Sequence, residues 1–200
     1  MATKNRDDLR NEMLGFIEDA YALERQLEQV LGAQAAAAAA YPHIQQRLAQ
    51  HQAETQVQAK RLAELLEAND RSPNAIKTAV GTLMGMGVGM AGGLRGETLS
   101  RNMRDAYVSE HLEIAGYTLL IATARQLGDE KVIKVAELIL AEEIAMQEWC
   151  AKHLVETLHL DLKAQGFDVP VSGQAVEGSP ILRVTFEPST AHATEKSKTK

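Results

Sequence analysis

Glutamates stand where a helix should be apolar, and this constrains the fold of the chain more than any other feature. From Leu99 to Leu127 a stripe of Leu99, Met103, Ala106, Glu110, Glu113, Tyr117, Leu120, Ala124 and Leu127 repeats with spacings alternating four and three. That spacing holds side chains on one helix face, the face that meets a core. Glu110 and Glu113 therefore belong to an otherwise apolar row. A carboxylate without a partner there is costly to desolvate or stays protonated. A metal ion is the simplest compensation.

Three more stretches repeat this plan. A first helix begins near Arg6–Asp8, with acidic residues at its positive end, and carries Met13, Ile17, Ala20, Glu24, Leu27 and Leu31 on one face. The alanines of Ala35–Ala40 extend or fray it, and Pro42 suits the first turn of the next helix. That second helix runs from about His43 to Asn69. Its face reads Ile44, Leu48, His51, Thr55, Gln58, Leu62, Leu65, apolar at both ends and polar at the waist, with Glu54 on the adjacent edge. The third helix, Leu99–Gln126, stops at Gly128–Asp129, a glycine cap followed by an acidic start. A fourth continues to about Lys163 with Val132, Ala136, Ile139, Glu143, Met146, Cys150, His153, Thr157 and Leu160 in one row. Glu142 and Gln147 flank its single buried-face glutamate.

The remaining segments lack this period. Between Asp70 and Glu97, Ser72–Pro73 reads as a helix start, after which seven glycines interleaved with Met84, Met86 and Met90 predict a short helix and an adaptable crossover. Ala79–Leu94 is too short and glycine-rich for a membrane span. Beyond Gly166, Pro180–Pro188 alternates apolar and polar residues like an edge strand or a segment packed on the bundle, and Ser189–Lys200 reads as disordered. The expected division is a bundle over 1–165 and an extended, largely disordered tail over 166–200. The net charge of -6 argues against a phosphate-backbone binder: no basic run interrupts the helices, and the only lysine-rich stretch is the final EKSKTK, which reads as a solvated end. A single cysteine, Cys150, forbids an internal disulfide, and the N-terminus lacks an apolar leader, so a cytoplasmic protein is expected.

Register supports a shared site. DAYALERQLE (Asp19–Glu28) and DAYVSEHLEI (Asp105–Ile114) align Glu24 with Glu110, while Glu54 with Gln58 matches Glu143 with Gln147. Glu113 and Glu143 each lie 15 residues from Gly128, and Glu24 and Glu54 each lie 15 from Ala39. Antiparallel helices joined at those turns bring the carboxylates to one level, within roughly 3–5 Å for a slip of two or three residues.

Four long helices, a lengthy crossover after the second and a core glutamate from each resemble the ferritin-like di-metal carboxylate fold. More closely, the chain is similar to the bacterial stress-protein family typified by YciE and YciF. The residues that carry this are His51-x-x-Glu54-Thr55-x-x-Gln58-x-x-Arg61-Leu62, Glu110-His111-Leu112-Glu113-Ile114-Ala115-Gly116-Tyr117 and Glu142-Glu143, within roughly Leu9–Leu160. The resemblance implies an all-α, antiparallel ferritin-like four-helix bundle with a long crossover between helices two and three, a metal-binding function and a homodimer. It departs from ferritins in lacking Glu-x-x-His: Val57 follows Glu54 by three and Met146 follows Glu143 by three.

The candidate metal ligands are thus Glu24, Glu54, Glu110, Glu113 and Glu143, with His51, Gln58 and Gln147 as ligands or their supports. Hard oxygen donors favour iron, alternatively manganese. His51 reads equally well as a core histidine bonded to Glu54 or Gln58. Cys150 and His153 share a face but fit packing better than ligation, and Tyr21, Tyr107 and Tyr117 are either donors to the site or core aromatics. Two functions follow. One is a ferritin-like metal protein in stress response, with oxidoreductase or ferroxidase-like chemistry left open. The other is a non-catalytic bundle that acts by self-association or partner binding through its glycine-methionine segment. Neither involves nucleic acid or a membrane.

Overall fold

The structure, a computed structural model, describes residues 5–73 and 98–169. Its four helices are α1 (Arg6–Ala37), α2 (Pro42–Glu67), α3 (Leu99–Leu127) and α4 (Glu130–Ala164). Local chemistry sets each boundary. Asn5 caps α1: its side chain accepts from the backbone of Asp7 and Asp8, and Asp8 accepts in return from the Asn5 N–H at 2.8 Å. The alanine run does both things expected of it, continuing α1 to Ala37 and leaving the helix as a turn from Ala38. Pro42 opens α2, where a missing N–H costs nothing. Gly128 closes α3 in the left-handed conformation (φ 69°, ψ 29°), and Asp129 caps α4 through the Val132 N–H.

Side-chain contacts fix the directions of the helices. The start of α1 meets the end of α3, where Arg6 donates to the Leu127 carbonyl at 2.7 Å, and the end of α2, where Arg10 meets Asn69. At the opposite end the Asp161 carboxylate accepts from the Leu99 and Ser100 N–H groups, at 3.1 and 2.8 Å, so the last turns of α4 cap the first turn of α3. His43 at the start of α2 meets Glu156 near the end of α4. Thus α1 and α2 are antiparallel, as are α3 and α4, while α2 and α3 run the same way. This is the connectivity of the expected ferritin-like bundle. The crossover and glycine-methionine segment (74–97), and the edge-strand and disordered segments expected beyond 170, lie outside the described residues.

The core has two apolar ends and a polar middle. One cluster gathers Met13, Ile17, Leu62, Leu65, Leu120 and Ile139 among others; the second gathers Leu31, Ile44, Leu48, Met103, Met146 and Cys150. Between them each helix changes character, at Glu24 in α1, His51 to Gln58 in α2, Glu110 and Glu113 in α3, and Glu143 and Gln147 in α4. The predicted stripes face inward nearly throughout. All seven members on α2 are buried, and on α3 only Leu127 reaches partial exposure.

Candidate metal centre

His51 organises one half of this polar layer. Its Nε2 lies 3.3 Å from Glu110 Oε2 and 3.6 Å from Glu143 Oε2, and its Nδ1 lies 3.1 Å from Glu54 Oε2. Ligand atoms of His51, Glu110 and Glu143, each from a different helix, all fall within 4.8 Å of one another. A cation with bonds of about 2.1 Å spreads its ligands over at most about 4.2 Å, close to the spread of these three atoms. The other half holds Glu24 and Glu113, whose side chains meet across α1 and α3. The Tyr117 hydroxyl donates to Glu24 Oε1, and its ring belongs to the apolar cluster beside it. Tyr21 and Tyr107 pack at the edges of the two apolar clusters.

Supports come from α2. Gln58 donates through Nε2 to Glu143 Oε1 and, at 3.0 Å, to Glu142 Oε2. Arg61 grips both oxygens of Glu142 at 3.1 and 2.9 Å. Glu54 accepts from Arg47 at 3.1 Å and from Gln50 at 2.8 Å, and keeps a quarter of its side chain exposed. It therefore sits at the rim, tied to the site through His51. Gln147 is buried beside Glu143 but leaves its Nε2 without a partner. Cys150 is packed in the apolar cluster and His153 stacks on Trp149, so neither joins the His51 group.

Burial and mutual repulsion govern the charges. Desolvation pushes the Glu24 carboxyl up to about 8, against the pull of the Tyr117 hydroxyl. Desolvation also lifts Glu113 well above the ordinary carboxyl range, aided by the charge of Glu24, and lifts Glu143, aided most by Glu113. Burial works against a charged His51, yet the neighbouring Glu110 and Glu54 carboxylates raise it to about 9. Glu54 moves the other way, held at about 2 chiefly by its hydrogen bond with His51. No lysine or arginine is buried among the described residues. Four carboxyls at 3 % exposure or less thus face a single imidazole. Four acceptor oxygens, Glu24 Oε2, Gln58 Oε1, Glu110 Oε2 and Glu143 Oε2, are buried with no hydrogen-bond donor. A cation could satisfy such acceptors, and so could protons shared between the carboxyls.

Comparison with known proteins bears on this geometry. A family described as a domain of unknown function, DUF892, matches residues 12–163. The chain belongs to that family. Three solved structures are similar to this DUF892 domain. A protein from Xanthomonas campestris pv. campestris is 30% identical, covering 80% of this chain and 99% of its own, with a TM-score of 0.67. YcfI from Rhodopseudomonas palustris is 27% identical over 74% of this chain and 97% of its own, with a TM-score of 0.60. The E. coli stress protein YciF is 22% identical over 79% of this chain and 98% of its own, with a TM-score of 0.61, a likeness of fold. The YciF-type, ferritin-like bundle expected from the sequence is therefore the fold of this DUF892 domain, and its buried His51, Glu110 and Glu143 form a group able to hold a metal ion.

The predicted site residues divide by position. Glu24, His51, Gln58, Glu110, Glu113, Glu143 and Gln147 are buried in one layer, and Glu54 lies on its rim. Sequence reasoning gave no role to Arg47 and Arg61, the cations that hold the two rim carboxylates. Their signal was present, since Arg61 lies in the α2 motif three residues beyond Gln58, but neither sits on the core stripe.

Proposed function

We propose that this DUF892 domain is a ferritin-like metal-binding protein with a two-cation carboxylate centre, holding iron or alternatively manganese, and that it serves in stress defence as a cytoplasmic homodimer. Residues 166–200 would form a separate tail. The observation that carries this reading is the set of buried carboxylate oxygens left without donors in a layer that, among the described residues, contains no buried arginine or lysine.

Glu110, Glu143 and His51 would hold one cation, and Glu24 and Glu113 would complete the shell on the far side of the layer. Two divalent ions balance the four buried carboxylates of Glu24, Glu110, Glu113 and Glu143 with His51 neutral. Glu54 at Nδ1 then fixes the imidazole tautomer and leaves Nε2 free to ligate. Tyr117 and Gln58 orient Glu24 and Glu143 by donating to one oxygen of each, leaving the other oxygen for a ligand bond. Bound iron supplies one-electron oxidation chemistry, which is the basis for a ferroxidase-like or peroxide-directed role. The apolar clusters close the layer at its two ends.

Metal analysis of protein purified without chelator tests the reading, with an anomalous-scattering map at the iron edge to place any ion. Iron or manganese at the His51 layer is expected, and a Glu110→Ala, Glu143→Ala double variant should lose it. Unchanged metal content in that variant would sink the assignment.

A further inference from the structure

A cleft between α1 and α3 opens from solvent onto the site's far side. Its volume is about 220 Å³. Exposure falls from rim to floor: Asp19, Leu112, Ala115 and Leu119 are exposed at the mouth. Phe16, Ala20, Leu23 and Gly116 are half-buried along the walls, and Glu113 and Tyr117 form the buried floor. Of the four deeply buried glutamates, Glu113 alone lines the cleft.

We infer that this cleft is a binding site for a small neutral molecule, a single apolar ring carrying one hydroxyl, whose hydroxyl donates to the Glu113 carboxyl. Size limits the ligand first. An apolar cavity of about 150 Å³ holds benzene, so this one takes a single substituted ring. The walls limit it next, because they are aliphatic and aromatic and offer no donor or cation. Charge limits it last: Asp19 at the mouth disfavours an anionic head group, while the Glu113 carboxyl on the floor can accept from a hydroxyl. A molecule seated there lies against the Glu24–Glu113 half of the polar layer. In metal-free protein the Glu113 carboxyl is not engaged by a cation, so the cleft is tested in that form.

Titration of the metal-free full chain with phenol, followed by NMR shifts of the backbone amides, tests this. Phenol should bind saturably and shift residues of the cleft, toluene should bind more weakly, and benzoate should bind least. A Cβ at Gly116 meets nothing within 4 Å, so Gly116→Leu grows into the cleft and should weaken phenol by about tenfold or more. Leu119→Glu, at an exposed rim position, should weaken it without endangering the fold. Phenol binding unchanged in both variants, or benzoate binding as tightly as phenol, overturns the inference. Metal content is read separately, so loss of one result leaves the other standing.

Discussion

At the scale of single residues, the polar layer is held in tension by groups that lack partners. Glu113 is buried, with desolvation as the largest influence on its carboxyl and no neighbouring cation to relieve it. Glu113→Leu should therefore stabilise the metal-free protein by about 1–4 kcal/mol at mildly alkaline pH while weakening metal binding, as urea unfolding with and without metal would show. Tyr117→Phe acts in the opposite sense. It takes away the donor to Glu24 Oε1, in a side chain whose other oxygen already lacks one. A loss of about 1–2 kcal/mol in metal-free protein is expected from chemical denaturation. No change in either variant would mean that water already satisfies these groups.

Among the elements, helix ends carry information that stripes do not. Gly128 has φ 69° and open space where a Cβ would stand, so Gly128→Ala is penalised by backbone conformation alone. Its cost should be about 1–2 kcal/mol in thermal or urea unfolding, with no effect on metal content. The Asp161 cap on α3 differs because it joins elements 61 and 62 residues apart. Asp161→Ala should lower stability by about 1 kcal/mol and speed amide exchange at Leu99 and Ser100 before it disturbs the distant polar layer. The glycine turn and Pro42 were legible in the sequence because local backbone chemistry dictates them. The Asp161 cap was not, since no local pattern announces an acceptor so far along the chain.

For the whole molecule, the buried charges make stability depend on pH in a defined direction. The Glu24 carboxyl rises from 4.5 to about 8 on folding, so its stabilising contribution is complete below pH 4.5 and is lost as pH climbs through 8. Glu113 and Glu143 share that sign. His51, raised from 6.5 to about 9, contributes fully below 6.5 and loses its contribution as pH climbs through 9. Glu54, lowered from 4.5 to about 2, contributes above 4.5 and loses that contribution only as pH falls through 2. Metal-free protein should accordingly melt at a lower temperature near about pH 8 than near about pH 5. Metal should reverse the trend, releasing protons as it binds and raising the melting temperature more at the higher pH. Calorimetry across this range, with and without iron(II) under anaerobic conditions, would show the crossing; parallel curves would contradict it.

The helices, their inward faces and every end but the Asp161-capped start of α3 were determined by the sequence alone, because the 3.6-residue period and local capping groups act over one or two turns. So was the identity of the acidic groups at mid-height, since a glutamate in an apolar row is visible without coordinates. What each carboxylate does was decided only by packing. Glu54 and Glu143 occupy matching places in the internal repeat, yet Glu143 is fully buried and Glu54 turns to the rim. Arg47 and Gln50 on its own helix draw Glu54 outward, whereas Glu143 accepts from the buried Gln58. Tertiary contact likewise chose Glu24 as the neighbour of Glu113 and set His51 between Glu110 and Glu143. Such distances depend on how four rods rotate and slide together, which no single rod's sequence specifies.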